Sequence, residues 1–369
     1  MTNFIEQLLE LAIHIQQISA PTFEEKGRAE FVRERFIQEG LEDVSMDSVN
    51  NLYGRWVGGG GPKQNAKPLI VSAHMDTVFP SGTNLNVTRD DERIYGPGLG
   101  DNSLGVAALF GLIWMLRERR IRLQNDVWFV ANVCEEGLGD LRGMKAVVDK
   151  FGEEVQAYLV IEGLSLGHVY HRAVGVKRYR LTVRTAGGHS WSDYGQPSAI
   201  HETARLVTQI ASLSLPALPR TTLNVGKISG GMGINVLASE ADFELDLRSE
   251  SMEALNTLVH QVEVLIRSGI KNGVKIESEV IGERPAGEIA PGHPLIRLAE
   301  ECLREQGIKP ELTSGSTDAN IPLSRGYPAT VLGVTTGGGA HTVHEYIDVG
   351  PIEKGMEQLV RFVGFVVMA

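Results

Sequence analysis

Residues 69–76 read LIVSAHMD, a short apolar run from Leu69 to Ala73 that ends in a histidine and, two places on, an aspartate. A run of that length bounded by polar residues predicts a buried strand, and VWFVANV at 127–133 and AYLVI at 157–161 have the same form. Between the first two lies GPGLGDNSLGVAALFGLIWMLRERR at 96–120. Its glycine-rich opening predicts a turn, and its apolar remainder predicts a helix from Leu104 to Arg120. Strands alternating with helices predict an α/β sheet with helices on both faces.

From about Gly175 the pattern changes. Lys177 to Thr185 alternates like a half-exposed strand, Ala199 to Leu213 reads as a helix, and Asp242 to Arg248 alternates again. Glu253 to Ile266 reads as a second helix, followed by strand-like Val274 to Ile281. This β-α-β-β-α-β-like order predicts an α+β insertion. After Arg284 the α/β texture resumes, with a helix near Pro294 to Gln306 and a buried run at Ala329 to Val334. The expected division is 1–174 and 284–369 for an interrupted catalytic domain, with 175–283 inserted.

A chain of 369 residues exceeds the size at which one core usually stops growing, which agrees with two domains. The net charge of −11 argues against a nucleic-acid or anionic-membrane surface, both of which favour clustered Lys and Arg. The two cysteines, Cys134 and Cys302, imply neither a disulfide framework nor a thiolate metal site. Phe4, Ile5, Leu8, Leu9, Ala12 and Ile15 recur at helical spacing, interrupted by Glu6 and Glu10, unlike a signal peptide. The apolar tail 362–369 is too short to span a bilayer, and the chain is expected to be cytoplasmic. The Gly58 to Gly61 run reads as a turn.

Polar residues gather where the expected strands end, which is where open α/β sheets place their ligands. They are His74 and Asp76 in SAHMD, Asp101 in GLGDN, Glu135 and Glu136 in CEEG, Glu162 in VIEG and His341 in GGGAHTVHEY. A lone His or Glu at a strand end is commonly structural, but so many carboxylates leading into a buried region are costly unless paired or bound to a cation. Lys and Arg nearby are too few to pair with them all. Imidazole and carboxylate donors without thiolates suit Zn, and also Co, Mn or Ni. Two ions fit the donor count better than one, with a bridging carboxylate and a His and a Glu on each.

These motifs resemble, one by one, the co-catalytic dizinc exopeptidases and amidohydrolases that include peptidase T, aminoacylase and carboxypeptidase G. The resemblance covers nearly the whole chain and rests on H-M-D, G-x-G-D-N, E-E-G and the final H-x-x-x-E-Y. It implies a zinc-exopeptidase-like catalytic domain with a mixed sheet, interrupted by a ferredoxin-like lid and dimerisation domain. It further implies that His74, Asp101, Glu136, Glu162 and His341 hold two divalent ions, zinc first, with cobalt or manganese as alternatives, and that Asp101 bridges. Glu135 is then the general base, and Asp76 hydrogen-bonds a ligand imidazole. His341 is preferred over His344 because the family's ligand sits four residues before the Glu of the E-Y pair. Glu162 is the longer residue of carboxypeptidase G-like and aminoacylase-like members, where peptidase T-like relatives commonly have Asp.

In the insertion, AGGHS with His189, GGMGIN with Asn235 and DLRS with Arg248 resemble the family's lid. The resemblance implies that His189 polarises the scissile carbonyl in a neighbouring subunit, hence a homodimer, and that Asn235 and Arg248 hold the substrate carboxylate. On the residues alone, a His in a Gly-rich turn or an Arg on an alternating strand is usually exposed or paired. GSTDAN at 315–320 resembles a loop lining the cleft, with the role of Asp318 open. HMDTVFP, CEEGLGDLRGMK and GSTDANIP look closest to peptidase T-like tripeptide aminopeptidases, which implies hydrolysis of short peptides. The alternatives are a deacylase of N-acyl amino acids and a metal-binding protein without catalysis, the latter disfavoured by the presence of Glu135.

Overall fold

The computed structural model of the chain describes residues 2–60 and 67–368; Gly61 of the glycine run and Ala369 of the apolar tail lie outside the described residues. The chain divides into two compact units, Met1–Ala173 with Glu288–Ala369, and Val174–Gly287.

The first unit is built on a nine-stranded mixed sheet. Its centre is four parallel strands in the order Val127–Asn132, Leu69–His74, Ala157–Glu162 and Ala329–Gly333. Ile70, Val71, Phe129, Val130, Leu159, Val160, Val331 and Leu332 on these strands have no exposed surface. Parallel strands covered on both faces need apolar residues at successive positions, which is why these segments read as unbroken apolar runs. Leu52–Trp56 and Glu42–Met46 extend one edge in antiparallel fashion. His168–Ala173 and Glu311–Gly315 extend the other.

Helix Leu104–Glu118 packs on Leu69–His74 and is covered by Thr2–Gln17 and Ile352–Met368. With its flanking turn it is long and apolar enough to cross a membrane, yet it lies buried in the protein core. The parallel register sets His74 opposite Asn132 and Glu162 opposite Gly333, so the carboxyl ends of the central strands finish side by side.

The second unit is a four-stranded antiparallel sheet in the order Thr221–Gly230, Glu240–Ser249, Gly175–Arg184, Lys275–Arg284. Helices Ala199–Ala211 and Met252–Gly269 pack on it around Leu181, Leu206, Ile210, Phe243, Leu247, Leu258 and Val262. Connectivity and strand order are those of a ferredoxin-like βαββαβ unit. The last strand reaches Arg284, paired with Val176, and the unit ends at Gly287 rather than at the expected 283.

Candidate metal centre

His74 and Glu162 each end a central strand. Glu135 and Glu136 follow Val127–Asn132 after two residues. Asp101 sits in the tight turn Leu99–Ser103, and His341 in the loop after Gly337–Gly338.

The turn carrying Asp101 is held from two sides. Asn102 donates through Nδ2 to the Ile161 carbonyl at 2.9 Å, while its Oδ1 accepts the Gly163 N–H at 2.8 Å, tying the turn to the end of the Glu162 strand. Two glycines permit this approach. A Cβ on Gly105 would lie 1.9 Å from Asn102 Oδ1, and one on Gly163 would lie 2.1 Å from the Gly100 carbonyl oxygen. From the other side the fully buried Glu345 accepts the N–H groups of Gly98, Gly100 and Asp101 at 3.0, 2.6 and 2.9 Å. Burial, with the neighbouring Asp101 carboxylate, pushes its carboxyl up to about 7 despite these bonds.

So held, Asp101 points its two oxygens in different directions. Oδ1 is 3.2 Å from His74 Nε2, which is also 3.6 Å from Glu162 Oε2. Oδ2 is 3.0 Å from His341 Nε2, which is also 3.2 Å from Glu136 Oε1. The result is two groups, His74–Asp101–Glu162 and Asp101–Glu136–His341, each with its ligand atoms within 4.8 Å of one another and both sharing Asp101. Glu135 lies alongside, with a carboxylate oxygen within 4.8 Å of a His74 nitrogen and a Glu136 oxygen. Thr317 Oγ1 donates to Glu162 Oε1 at 2.6 Å and fixes that ligand from behind.

The donor set fits divalent cations. Six carboxylates of this unit, Glu25, Asp76, Glu135, Glu136, Asp318 and Glu345, are buried, against one buried guanidinium, Arg28, among its described residues. Arg28 spends its N–H groups on the carbonyls of Gln16, Ile18 and Met75. Hydrogen bonds to Asp101 and Glu136 push the His341 imidazole up to about 10. Burial opposes protonation of His74, but Asp101, Asp76 and Glu162 together raise it well above the usual histidine range. Such surplus negative potential is what a cation relieves. One nitrogen and two oxygens per group suit zinc, cobalt or manganese.

The structure modifies one sequence-based expectation, that for Asp76, and gives a setting to Asp318, whose role was open. The Asp76 carboxylate is 3.6 Å from His74 Nδ1, too far for a hydrogen bond, and the imidazole is oriented by the Asp76 backbone carbonyl at 3.1 Å. The carboxylate is engaged elsewhere, accepting the N–H groups of Glu135 and Glu136 at 2.9 Å each. Asp318 is fully buried, accepts from Asn132 Nδ2 at 2.7 Å, and is pushed up to about 7 by burial and the charges of Glu162 and Asp76. It backs the strand beside His74. His341 joins the cluster, whereas His344 is exposed and belongs to none of the candidate groups among the described residues.

In the second unit the structure brings His189 and Asn235 together. Gly188–His189 pairs with Val236–Leu237, and the Ser190 N–H donates to the Asn235 carbonyl at 3.0 Å. His189 Nδ1 accepts from the backbone of Trp191 at 3.2 Å, so the neutral ring carries its proton on Nε2. Arg248 is not gathered with them. It lies near the far end of Glu240–Ser249, eight residues or about 26 Å of extended chain from Glu240. Its Nε donates to Asp246 at 2.6 Å.

A protein-family model, described as peptidase family M20/M25/M40, matches residues 70–364, which includes every residue of both metal groups. The chain belongs to this family. Among solved structures of similar shape, a tripeptidase from Staphylococcus aureus shares 24% identity with a TM-score of 0.83, covering 99% of both chains. The uncharacterized protein YqjE of Bacillus subtilis is 24% identical over 95% of this chain and 94% of its own length. A succinyl-diaminopimelate desuccinylase of Corynebacterium glutamicum is 25% identical over 76% of each. M20 membership establishes a hydrolase of the peptidase and amidohydrolase class. Within it, Glu25, Arg28, Asn102, Thr317 and Glu345 support the site without having been given a role from sequence. Of these, Asn102, Thr317 and Glu345 stood inside the motifs G-x-G-D-N, GSTDAN and H-x-x-x-E-Y, and Glu25 and Arg28 carried no local signal.

Proposed function

We propose that this M20 chain is a cytoplasmic, metal-dependent aminopeptidase of short unblocked peptides, close to the tripeptide type, with two zinc ions held by His74, Asp101, Glu136, Glu162 and His341. The observation that carries the reading is the placement of the two Asp101 oxygens in separate groups, each completed by one imidazole and one glutamate. A pair of divalent ions so bound supplies Lewis acidity toward the amide carbonyl and toward an attacking water. Glu135, beside both groups, takes the proton of that water on its carboxylate and passes it to the leaving amine. Asp76 serves by holding the Glu135 and Glu136 backbone. His189 presents an Nε2–H suited to polarising the scissile carbonyl, and Asn235 and Arg248 are assigned to the substrate carboxylate.

A homodimer through the second unit completes the reading. A tripeptide spans about 10 Å at full extension, less than the ~26 Å of strand between Glu240 and Arg248, which supports His189 and Arg248 reaching one substrate from different chains. Trp191 and Tyr194, beside His189, are 87% and 89% exposed, and Met232 is 87% exposed, a flank suited to burial against a second copy.

The specific observation in favour of a second reading, deacylation of N-acyl amino acids, is the similarity to the desuccinylase. A panel of unblocked tripeptides and N-acetyl or N-succinyl amino acids separates the two. The expected outcome is turnover of the tripeptides; turnover confined to the blocked compounds would replace the peptidase reading with the deacylase.

A further inference from the structure

We propose that Glu25 is a positioning residue for the base Glu135, acting through the backbone of residues 134–136. This inference rests on the reading of Glu135 given above.

Three successive backbone N–H groups at the base are each received by a buried carboxylate. Cys134 donates to Glu25 Oε1 at 3.1 Å, Glu135 to Asp76 Oδ1 at 2.9 Å and Glu136 to Asp76 Oδ2 at 2.9 Å. The Cys134 thiol is a further donor to the same Glu25 oxygen, at 3.4 Å. Hydrogen bonds to ionised acceptors are stronger than neutral ones, and burial removes the competing water. Glu25 itself is 2% exposed.

The backbone they hold is not one the chain adopts freely. Cys134 has φ 57°, in the left-handed region that a non-glycine residue keeps only where its surroundings over-determine it. That torsion sets the direction in which the next residue leaves the strand, and the next residue is Glu135. Asp76 fixes the peptide groups on either side of Glu135, and Glu25 fixes the one before them. Without Glu25, Cys134 keeps its side chain but loses the acceptor of both its N–H and its S–H.

Glu25 is anchored in turn by its own segment. Its Oε1 accepts the Phe23 N–H at 2.9 Å, and Phe23 is also left-handed at φ 77°. Thr22 Oγ1 donates to Asp76 Oδ2 at 2.9 Å. Arg28, fully buried on the following helix, donates to the Ile18 carbonyl at 2.7 Å and to the Met75 carbonyl at 2.6 Å. Residues 22–28 thus grip the Asp76 side chain, the backbone between His74 and Asp76, and the approach to Glu135. Glu25 receives donors from Phe23 and Cys134 and belongs to none of the candidate metal groups among the described residues, which separates its role from metal binding.

The test compares Glu25→Ala, Glu25→Gln, Glu25→Asp and Glu135→Gln in the full-length, metal-loaded protein, on the amide substrate the unmodified protein turns over best. Misplacing a reacting group by about 1 Å costs about 100-fold. Glu25→Ala is therefore expected to lower kcat by about 10- to 100-fold with KM and metal content unchanged. Glu25→Gln, whose amide oxygen still accepts, recovers most of that loss. In the metal-free protein, amide hydrogen exchange at residues 134–136 rises in Glu25→Ala and not in Glu25→Gln, a readout independent of turnover. Glu25→Asp keeps the charge but withdraws the acceptor, and stands in for Glu25→Ala should that variant not fold. The proposal is overturned if Glu135→Gln is inactive while the Glu25 variants keep kcat within about twofold, or if their loss only tracks lost metal or lost folded protein. If Glu135→Gln itself retains full turnover with both ions bound, the base assignment fails first.

Discussion

Glu135→Gln should retain two bound ions and lose about 10²- to 10⁴-fold in kcat on an unblocked tripeptide, the range that general acid–base catalysis contributes. Glutamine keeps the shape of the side chain and its place beside His74 and Glu136, within 4.8 Å of their ligand atoms in the parent. What it cannot do is accept a proton from water and return it to an amine. Because the Glu135 backbone is fixed by Asp76, the substitution leaves the neighbouring Glu136 in position. Steady-state kinetics alongside metal analysis distinguish a base from a ligand: a ligand would take an ion with it when substituted, and a base would not.

The second large effect belongs to Asp101. Asp101→Asn removes one of two anionic oxygens that face His74 and His341 separately, so both ions should be weakened together, by more than the 10- to 100-fold that loss of an outer hydrogen-bond partner costs. Glu162→Gln should weaken only the ion shared with His74, and Glu136→Gln only the ion shared with His341. Competition titrations with a chromophoric chelator read the two affinities. Equal, single-ion effects from all three substitutions would show that Asp101 does not bridge.

The candidate donors His74, Glu136 and Glu162 were legible because each sits at or just past the end of an apolar run, where a charge is costly without a cation, whereas Asp101 and His341 stood out only through the motifs around them. LIVSAH, AYLVIE and the segment before CEEG carry this signal within a few residues. What holds the donors did not show. Glu25 meets Cys134 across 109 positions, Asn51 meets Val133 across 82, and Glu345 meets Gly100 across 245, separations that no local periodicity reports. Helix Lys26–Gln38, KGRAEFVRERFIQ, is rich in charge yet buries Arg28 completely; tertiary contacts overrode its composition.

Edge strands were the other gap. Glu42–Met46 has no fully buried residue, and Thr221–Gly230 alternates only weakly, over its first six positions, before it becomes exposed throughout, so neither carries the strong pattern of the central strands. The inserted unit was recognisable all the same because Glu240–Ser249 alternates buried and less buried residues along its whole length. The orienting contact expected of Asp76 is made through a different atom. Two residues after a ligand is the right spacing for a partner of the imidazole, but here the backbone carbonyl fills that role and frees the carboxylate for the Glu135 loop.

The measurement to make is a calorimetric zinc titration of metal-free protein at pH 7, repeated in buffers of different ionisation enthalpy. In the metal-free site the facing carboxylates push His341 up to about 10 and raise His74 in the same direction, so both imidazoles favour the protonated form. Zinc needs the neutral ring, so each ion displaces a proton. Two ions bound per chain with release of about two protons is the expected result. Binding of one ion or none, or two ions without proton release, would contradict a two-metal centre built on His74, Asp101, Glu136, Glu162 and His341.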